Sequence, residues 1–416
     1  MVVARTTLCE DGLVLVLPVP FKKQPDGRLF FEAQAINGLD QWADNFSHVT
    51  VIAPTLNGDL PRNDSTIVWL DPAILRNRDK ITLVPLPTAY TATAFARSLV
   101  PTRRILLAHM ERNRYLSFCI GGLIGDWAAV GARLAQSRHL PYSIHTDRVE
   151  HEVLFKLSRQ QTLLRRMKAE MVGRLMRVYH RDIIRGCALG LWHGNDCFVA
   201  YSKWGRENHL IHDIHLKPSD AIPSSDLECK RNSAAEGPMR IAYAGRLDPM
   251  KAPLDWLRAL RVAAKLGAEF EAVWLGDGPL NDSFHSLVDE LGLCKQVRAP
   301  GFVANRSTLL HELRLAHVFV FTHVTPESPR CLLEALVCGT PIVGYNSAYA
   351  EELTEGFGGG AFVPIGDWQA LGEKIAALSR NRAELVELIG KAAANGKRFN
   401  DEAVFRERSE LIRRHS

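Results

Sequence analysis

The run His317-Val318-Phe319-Val320-Phe321 is too uniformly apolar for a strand with one wet face. It reads as a strand buried on both sides, in the manner of a parallel sheet. Behind it stands Glu327-Ser328-Pro329-Arg330-Cys331-Leu332-Leu333-Glu334-Ala335-Leu336, closed by Gly339-Thr340-Pro341. Ser328 is placed to cap a helix, Pro329 suits its first turn and Gly339 can end it. A buried strand feeding a helix commits the segment to an α/β sheet. Two carboxylates then lie at the carboxyl end of the strand and on the first turns of the helix, where open α/β sheets bind ligands. The helix start offers N–H groups to an anion, and the carboxylates can accept hydrogen bonds from hydroxyls. A ligand that is part phosphate and part sugar fits. The plainer reading is an acid at a helix start and one solvated glutamate.

Three further segments repeat the pattern. Met239-Arg240-Ile241-Ala242-Tyr243-Ala244-Gly245-Arg246-Leu247-Asp248-Pro249-Met250-Lys251 reads as strand, glycine turn and helix. Gly245 lets the backbone bend or lie close to a ligand. Arg246, as a planar fork, and Lys251, as a point charge, can both reach a diphosphate. Ala272-Val273-Trp274-Leu275-Gly276-Asp277-Gly278-Pro279 is another strand running into a glycine turn, and Gln296-Val297-Arg298-Ala299-Pro300-Gly301-Phe302-Val303 a short strand and loop. Each is a weak signal alone. Their order and spacing make them strong together.

With these segments in view, residues from about 238 to 372 resemble the donor-binding half of a family 4 glycosyltransferase of the bacterial polysaccharide-biosynthesis type. The resemblance implies an α/β chain with the GT-B fold, two Rossmann-like doubly wound domains facing each other across a cleft. It also implies that Arg246 and Lys251 hold the diphosphate of a nucleotide sugar, that Glu327 touches the transferred sugar and that Glu334 holds the ribose hydroxyls. Gly27, Gly245, Gly276, Phe302, Val303, Arg330, Cys331 and Leu332 complete the expected donor contacts. One departure stands out. The family usually has seven residues between its two glutamates, and here Ser328 to Leu333 are six. A one-residue deletion before Pro329 accounts for it.

Composition agrees with two domains. The chain has 416 residues, more than one core usually supports, and 46% of them are hydrophobic. Its eight cysteines form no Cys-x-x-Cys pair, which favours a reducing compartment. Met1-Val2-Val3-Ala4-Arg5 meets acidic residues too soon for a signal peptide, and no apolar run nears the roughly 20 residues of a spanning helix. The expected location is the cytoplasm or the inner face of the cytoplasmic membrane. A net charge of +5 is too mild to imply nucleic acid.

The expected domains are residues 1–208 on the acceptor side, a linker at 209–238, a nucleotide-sugar domain at 239–396, and a tail at 397–416 that returns to the first domain. Gly12-Leu13-Val14-Leu15-Val16-Leu17-Pro18 opens as a buried strand, with a helix expected from about Leu29 to Phe46 and a strand at Val49–Ala53. Asp26-Gly27 falls at that helix entrance, where the family places a glycine pair; a plain turn is the other reading. Arg104–His109 and Pro141–Asp147 read as strands. Gly121-Gly122-Leu123-Ile124-Gly125 reads as close-packing points in or at the start of a helix, a phosphate loop being the less favoured reading, and Asp196–Ser202 resembles a last strand. His145, just past a strand end, matches the family's histidine that faces the donor sugar. His109 and His151 are weaker candidates. Two helical patterns, roughly 367–394 and 401–413, close the chain.

Over residues 156–185, Leu164, Met167, Met171, Leu175 and Val178 repeat at helical spacing, with Arg159, Arg166, Arg174, Arg177 and Arg181 on another face. Either the stripe faces the core and the arginines are solvated, or the helix docks on anionic lipid.

The resemblance implies retaining transfer from a UDP- or GDP-sugar to a glycan or lipid-linked acceptor, with no cofactor and no metal, Arg246 and Lys251 standing in for the cation. No Asp-x-Asp motif stands at a strand end. A sugar-nucleotide epimerase of the same fold and a non-catalytic nucleotide-sugar-binding subunit are the alternatives. A polynucleotide-binding module is disfavoured, because the basic face lacks interleaved aromatics.

Overall fold

The computed structural model describes residues 8–57, 67–159 and 161–416. They divide into two compact units. The first comprises residues up to His215, together with Glu402–Ser416; the second is Leu216–Asp401.

Unit one is built on β1 (Cys9–Val16), β2 (Phe21–Lys23), β3 (Leu29–Glu32), β4 (His48–Asn57), β5 (Trp69–Leu70), β6 (Ile81–Pro87), β7 (Asn113–Cys119), β8 (Ser143–Thr146), β9 (Leu189–His193) and β10 (Asn208–Ile211). The sheet runs β10-β9-β8-β7-β1-β4, with β6 also paired to β4, all parallel. Leu13, Val14, Leu15 and Val16 are wholly buried, because helices cover both faces of the central strand. The small strands β2, β3 and β5 extend this sheet beside β4, with β3 antiparallel to both β2 and β5.

Unit two holds six parallel strands: β11 (Met239–Ala244), β12 (Phe270–Leu275), β13 (Val297–Gly301), β14 (Val318–Phe321), β15 (Ile342–Tyr345) and β16 (Gly360–Val363). Their order is β13-β12-β11-β14-β15-β16. Strand order reverses between β11 and β14, which makes the carboxyl ends of these two strands the topological switch point.

Several expectations are corrected. Arg104–His109 lies inside the helix Ala92–Met110, where Thr102, Leu106 and Met110, each four apart, are the buried residues. Asp196–Ser202 falls in the helix Gly194–Tyr201, again with a buried pair four apart, Cys197 and Tyr201. A short apolar run does not by itself distinguish the two periods. The segment from Leu29 starts as β3, and its helix is Ala33–Asn45. Gly27, at φ +88°, turns the β2–β3 hairpin and stands away from the helix entrance. Gly121–Gly125 forms a loop, closed by the buried carboxylate of Asp126, which accepts from the Gly121 and Ala129 amides. The stretch 209–238 contains most of β10 and the helix Ser224–Ala235. That helix has no apolar stripe to read, since Lys230 and Ala234 are what it buries.

The 156–185 region is divided: one helix ends at Ser158, and the next spans Leu163–Arg185. The latter turns Gly173, Met176, His180, Ile183 and Ile184 inward, and leaves the Leu164–Val178 stripe outside. The closing pattern resolves into three helices, Trp368–Arg380, Arg382–Gly396 and Asp401–His415. The last packs into unit one, with Phe405 edge-on to Trp42 at 5.1 Å and the Arg408 guanidinium 4.7 Å from the same ring.

Candidate active site

The loop that leaves β11 is bent by Gly245 and pinned by Asp248. The Asp248 carboxylate accepts from the Met250 and Lys251 amides at 3.0 and 3.3 Å, and from Arg246 Nε at 3.2 Å. Arg246 is thereby steered at its base while its side chain stays 59% exposed. Ala252 takes a left-handed conformation, φ 44°, and Pro253 opens the next helix.

The loop that leaves β14 meets this one. Thr322 Oγ1 donates to the carbonyls of Lys251 and Ala252, and the Val324 amide to Met250 O at 3.0 Å. This stitching brings Lys251 Nζ to 2.7 Å from Glu327 Oε1, which also accepts from Thr325 Oγ1 at 3.3 Å. Both partners are largely withdrawn from water, with 14% and 9% of their side chains exposed. The six-residue spacing therefore still delivers Glu327 to the switch point. Below the pair, Tyr243 O–H and His323 Nε2 are 2.7 Å apart. Burial, reinforced by the Lys251 charge, drives the His323 pKa far down, so this ring is neutral.

Glu334 sits on the helix Arg330–Val337 and accepts from Arg306 Nη1 at 3.1 Å. Arg306 opens the helix behind the Phe302-Val303 loop; sequence reading missed it, though its place just after the Asn305 cap was a usable signal. Asp248 and Thr325 were missed too. Pro329 takes the N-cap position of that helix, directly after Ser328. Arg330, Cys331 and Leu332 form the first turn. The Cys331 thiol is pushed up to about 12 by burial and stays protonated.

Gly276 and Gly278 serve a close approach of two loops. A Cβ on Gly276 would lie 2.0 Å from the Gly245 carbonyl oxygen, and one on Gly278 2.6 Å from that of Leu247. Phe302 follows Gly301 at the end of β13 and is exposed, with Val303 half-buried. Two cavities of unit two, about 330 and 390 Å³, lie against Arg240 near the start of β11 and share no residue with this cluster.

Two expected residues belong to unit one. Gly27 is exposed in its hairpin turn. His145 lies inside β8, one residue before its end rather than past it, 5% exposed, with Nδ1 3.2 Å from Ser117 Oγ and its ring stacked on His193 at 5.8 Å. Burial, then the nearby Arg408 charge, lowers its pKa to about 3. The ring is therefore neutral. His109 lies on the helix Ala92–Met110, and burial lowers His151 to about 4.

Residues 225–396 match the family described as Glycosyl transferases group 1. The chain is 27% identical over 200 residues to the amylovoran biosynthesis glycosyltransferase AmsK of Erwinia amylovora, covering 46% of this chain and 49% of that protein. It is 28% identical over 187 residues to the putative colanic acid biosynthesis glycosyltransferase WcaL of Escherichia coli K12, covering 42% and 45%. It thus spans about half the length of these curated relatives. Among solved structures, Anabaena Alr3699/HepE in complex with UDP superimposes with a TM-score of 0.63 at 16% identity, over 96% of this chain and 98% of that one. The fold is GT-B.

Proposed function

We propose that this chain, whose residues 225–396 belong to the group 1 glycosyl transferases, moves a sugar from a UDP- or GDP-sugar to a glycan or lipid-linked acceptor. The setting is cell-surface polysaccharide synthesis, and the transfer retains the anomeric configuration. The observation that carries this reading is the Lys251–Glu327 pair at the switch point of unit two, with Arg246 on the same loop. The names of AmsK and WcaL and the UDP held by HepE support it.

Charge gathers on the diphosphate as the sugar departs. Fixed cations lower that barrier most when they are preorganised in a site withdrawn from water. Lys251 is held by Glu327, and Arg246 is aimed by Asp248. Together they supply the charge for which other enzymes use a metal ion. Glu327 faces the sugar, and Glu334, steadied by Arg306, takes the ribose hydroxyls. The departing phosphate oxygen accepts the acceptor's proton, so no side-chain base is required. His145, neutral, contributes hydrogen bonding alone.

The test is a panel of nucleotide sugars, read by calorimetry and by release of nucleoside diphosphate. One donor should bind and be slowly hydrolysed, and NMR of the product should show the donor's anomeric configuration. Glu334→Ala should weaken binding of the free nucleoside diphosphate, whereas Glu327→Gln should spare it and lower turnover. An epimer formed without acceptor, or no donor bound at all, would overturn the reading.

A further inference from the structure

The helix Leu163–Arg185 carries two apolar faces, and unit one uses only one of them. Gly173, Met176, His180, Ile183 and Ile184 are buried. A Cβ on Gly173 would come within 2.4 Å of the Phe155 ring, so the inner face is closely packed. Tyr179 O–H donates to Ala129 O at 3.1 Å, and His180 Nε2 lies 3.3 Å from Gly122 O. On the opposite side, Leu164, Met167, Met171, Leu175 and Val178 are each between 55% and 81% exposed. Their spacing of three and four residues draws one continuous stripe about 21 Å long. Large apolar side chains exposed in such a row mark a docking surface.

Charge decides what docks there. The helix holds six arginines and Lys168 against Glu170 and Asp182, a net of +5. The whole chain is also +5, so the remainder is neutral and the entire excess sits on this helix. Helical geometry places Arg174 and Arg181 along one border of the stripe and Lys168 along the other. A second copy of the chain packed on this stripe would set those cations against their own kind. Nucleic acid would use the cations and leave the methionines and leucines in water. An anionic bilayer takes both: acyl chains receive the stripe and headgroup phosphates meet its borders.

We propose that Leu163–Arg185 lies in the plane of an anionic lipid surface, inserting Leu164, Met167, Met171, Leu175 and Val178 between headgroups. Among the described residues no helix is long and apolar enough to cross a membrane. The proposal does not depend on sugar transfer.

Sedimentation of the full chain with phosphatidylcholine vesicles, with and without phosphatidylglycerol, tests it. Binding should require phosphatidylglycerol and fall with added salt. Changing Arg174, Arg177 and Arg181 to Gln should weaken it by about a hundredfold. Met167→Ser with Met171→Ser and Leu175→Ser should abolish it, with the melting temperature unchanged because these residues are outside the core. A Leu175→Trp variant should shift its emission to the blue on vesicles. The proposal fails if the parent chain ignores anionic vesicles or if the serine variant still binds them. It also fails if sedimentation equilibrium finds a dimer that the serine variant dissolves, or if heparin binding depends on the arginines and lipid binding does not. Calorimetry with nucleotide sugars keeps the two readings apart: a parent chain that binds anionic vesicles but no donor would strike at the transferase alone, and the variants should bind donor as the parent does.

Discussion

At the residue scale, the Lys251 ammonium and the Glu327 carboxylate neutralise each other where either alone would be costly. Lys251→Ala should therefore do two things. Turnover should fall by about 10²–10³-fold as one diphosphate contact is lost. Unit two should also lose on the order of 3 kcal/mol, because Glu327 is left with an unpaired buried charge. Lys251→Met combined with Glu327→Gln should recover much of the melting temperature and none of the turnover, which separates packing from chemistry. A second residue-scale outcome concerns pH. In unit one, burial lowers the pKa of His109, His145, His151 and His180, the last three to about 3, 4 and 4. The unfolded chain binds these protons near 6.5 and the folded chain does not, so stability is lost as pH falls below about 6.5. Asp126, raised to about 6 by burial, and Glu150, also raised by burial, act with the opposite sign. Four groups against two predict that unit one melts at lower temperature at pH 5 than at pH 7. His180→Phe should flatten that dependence.

At the element scale, the strands of unit two were readable because they are short, continuous and apolar, as strands buried on both faces must be. The helices Ala92–Met110 and Gly194–Tyr201 were not, because their apolar residues lie too close together to reveal a 3.6-residue period in a short window. The helix Ser224–Ala235 defeats periodicity altogether. Its main inward side chain is Lys230, whose ammonium donates to Cys338 O at 2.9 Å and to Thr340 Oγ1 at 2.5 Å. The site divides the same way. Arg246, Lys251, Glu327 and Glu334 were legible from residue type and position behind a strand. Asp248, Thr325 and Arg306 were not, because each acts through a neighbour that only the folded loops supply. The stripe on Leu163–Arg185 was legible as a stripe; which way it points is decided by packing. The loops themselves predict an outcome. Gly276→Ala would drive a methyl against the Gly245 carbonyl, so it should cost about 1–3 kcal/mol and weaken nucleoside diphosphate binding by displacing Arg246. Thermal melts and calorimetry check both.

At the scale of the whole molecule, the chain visits unit one twice, and the second visit is structural. Phe405, Leu411 and Ile412 are buried in the same core as Trp42 and Phe46, and Arg413 reaches Asp11 at 3.0 Å. Phe405→Ala should cost unit one about 3–5 kcal/mol. Binding of nucleoside diphosphate, which the proposed function assigns to residues of unit two, should survive, so that calorimetry and melting part company. The same return of the chain has a consequence in time. A ribosome adding about 5–20 residues per second needs roughly ten to forty seconds to make Leu216–Asp401. Throughout that interval the first-made half waits with Trp42 and its neighbours short of the helix that covers them. The half made second, uninterrupted in sequence, has every strand it needs beforehand. Birth order and order of completion are thus reversed, and a nascent chain halted before Glu402 would carry a finished second half and an unfinished first, a natural client for chaperones.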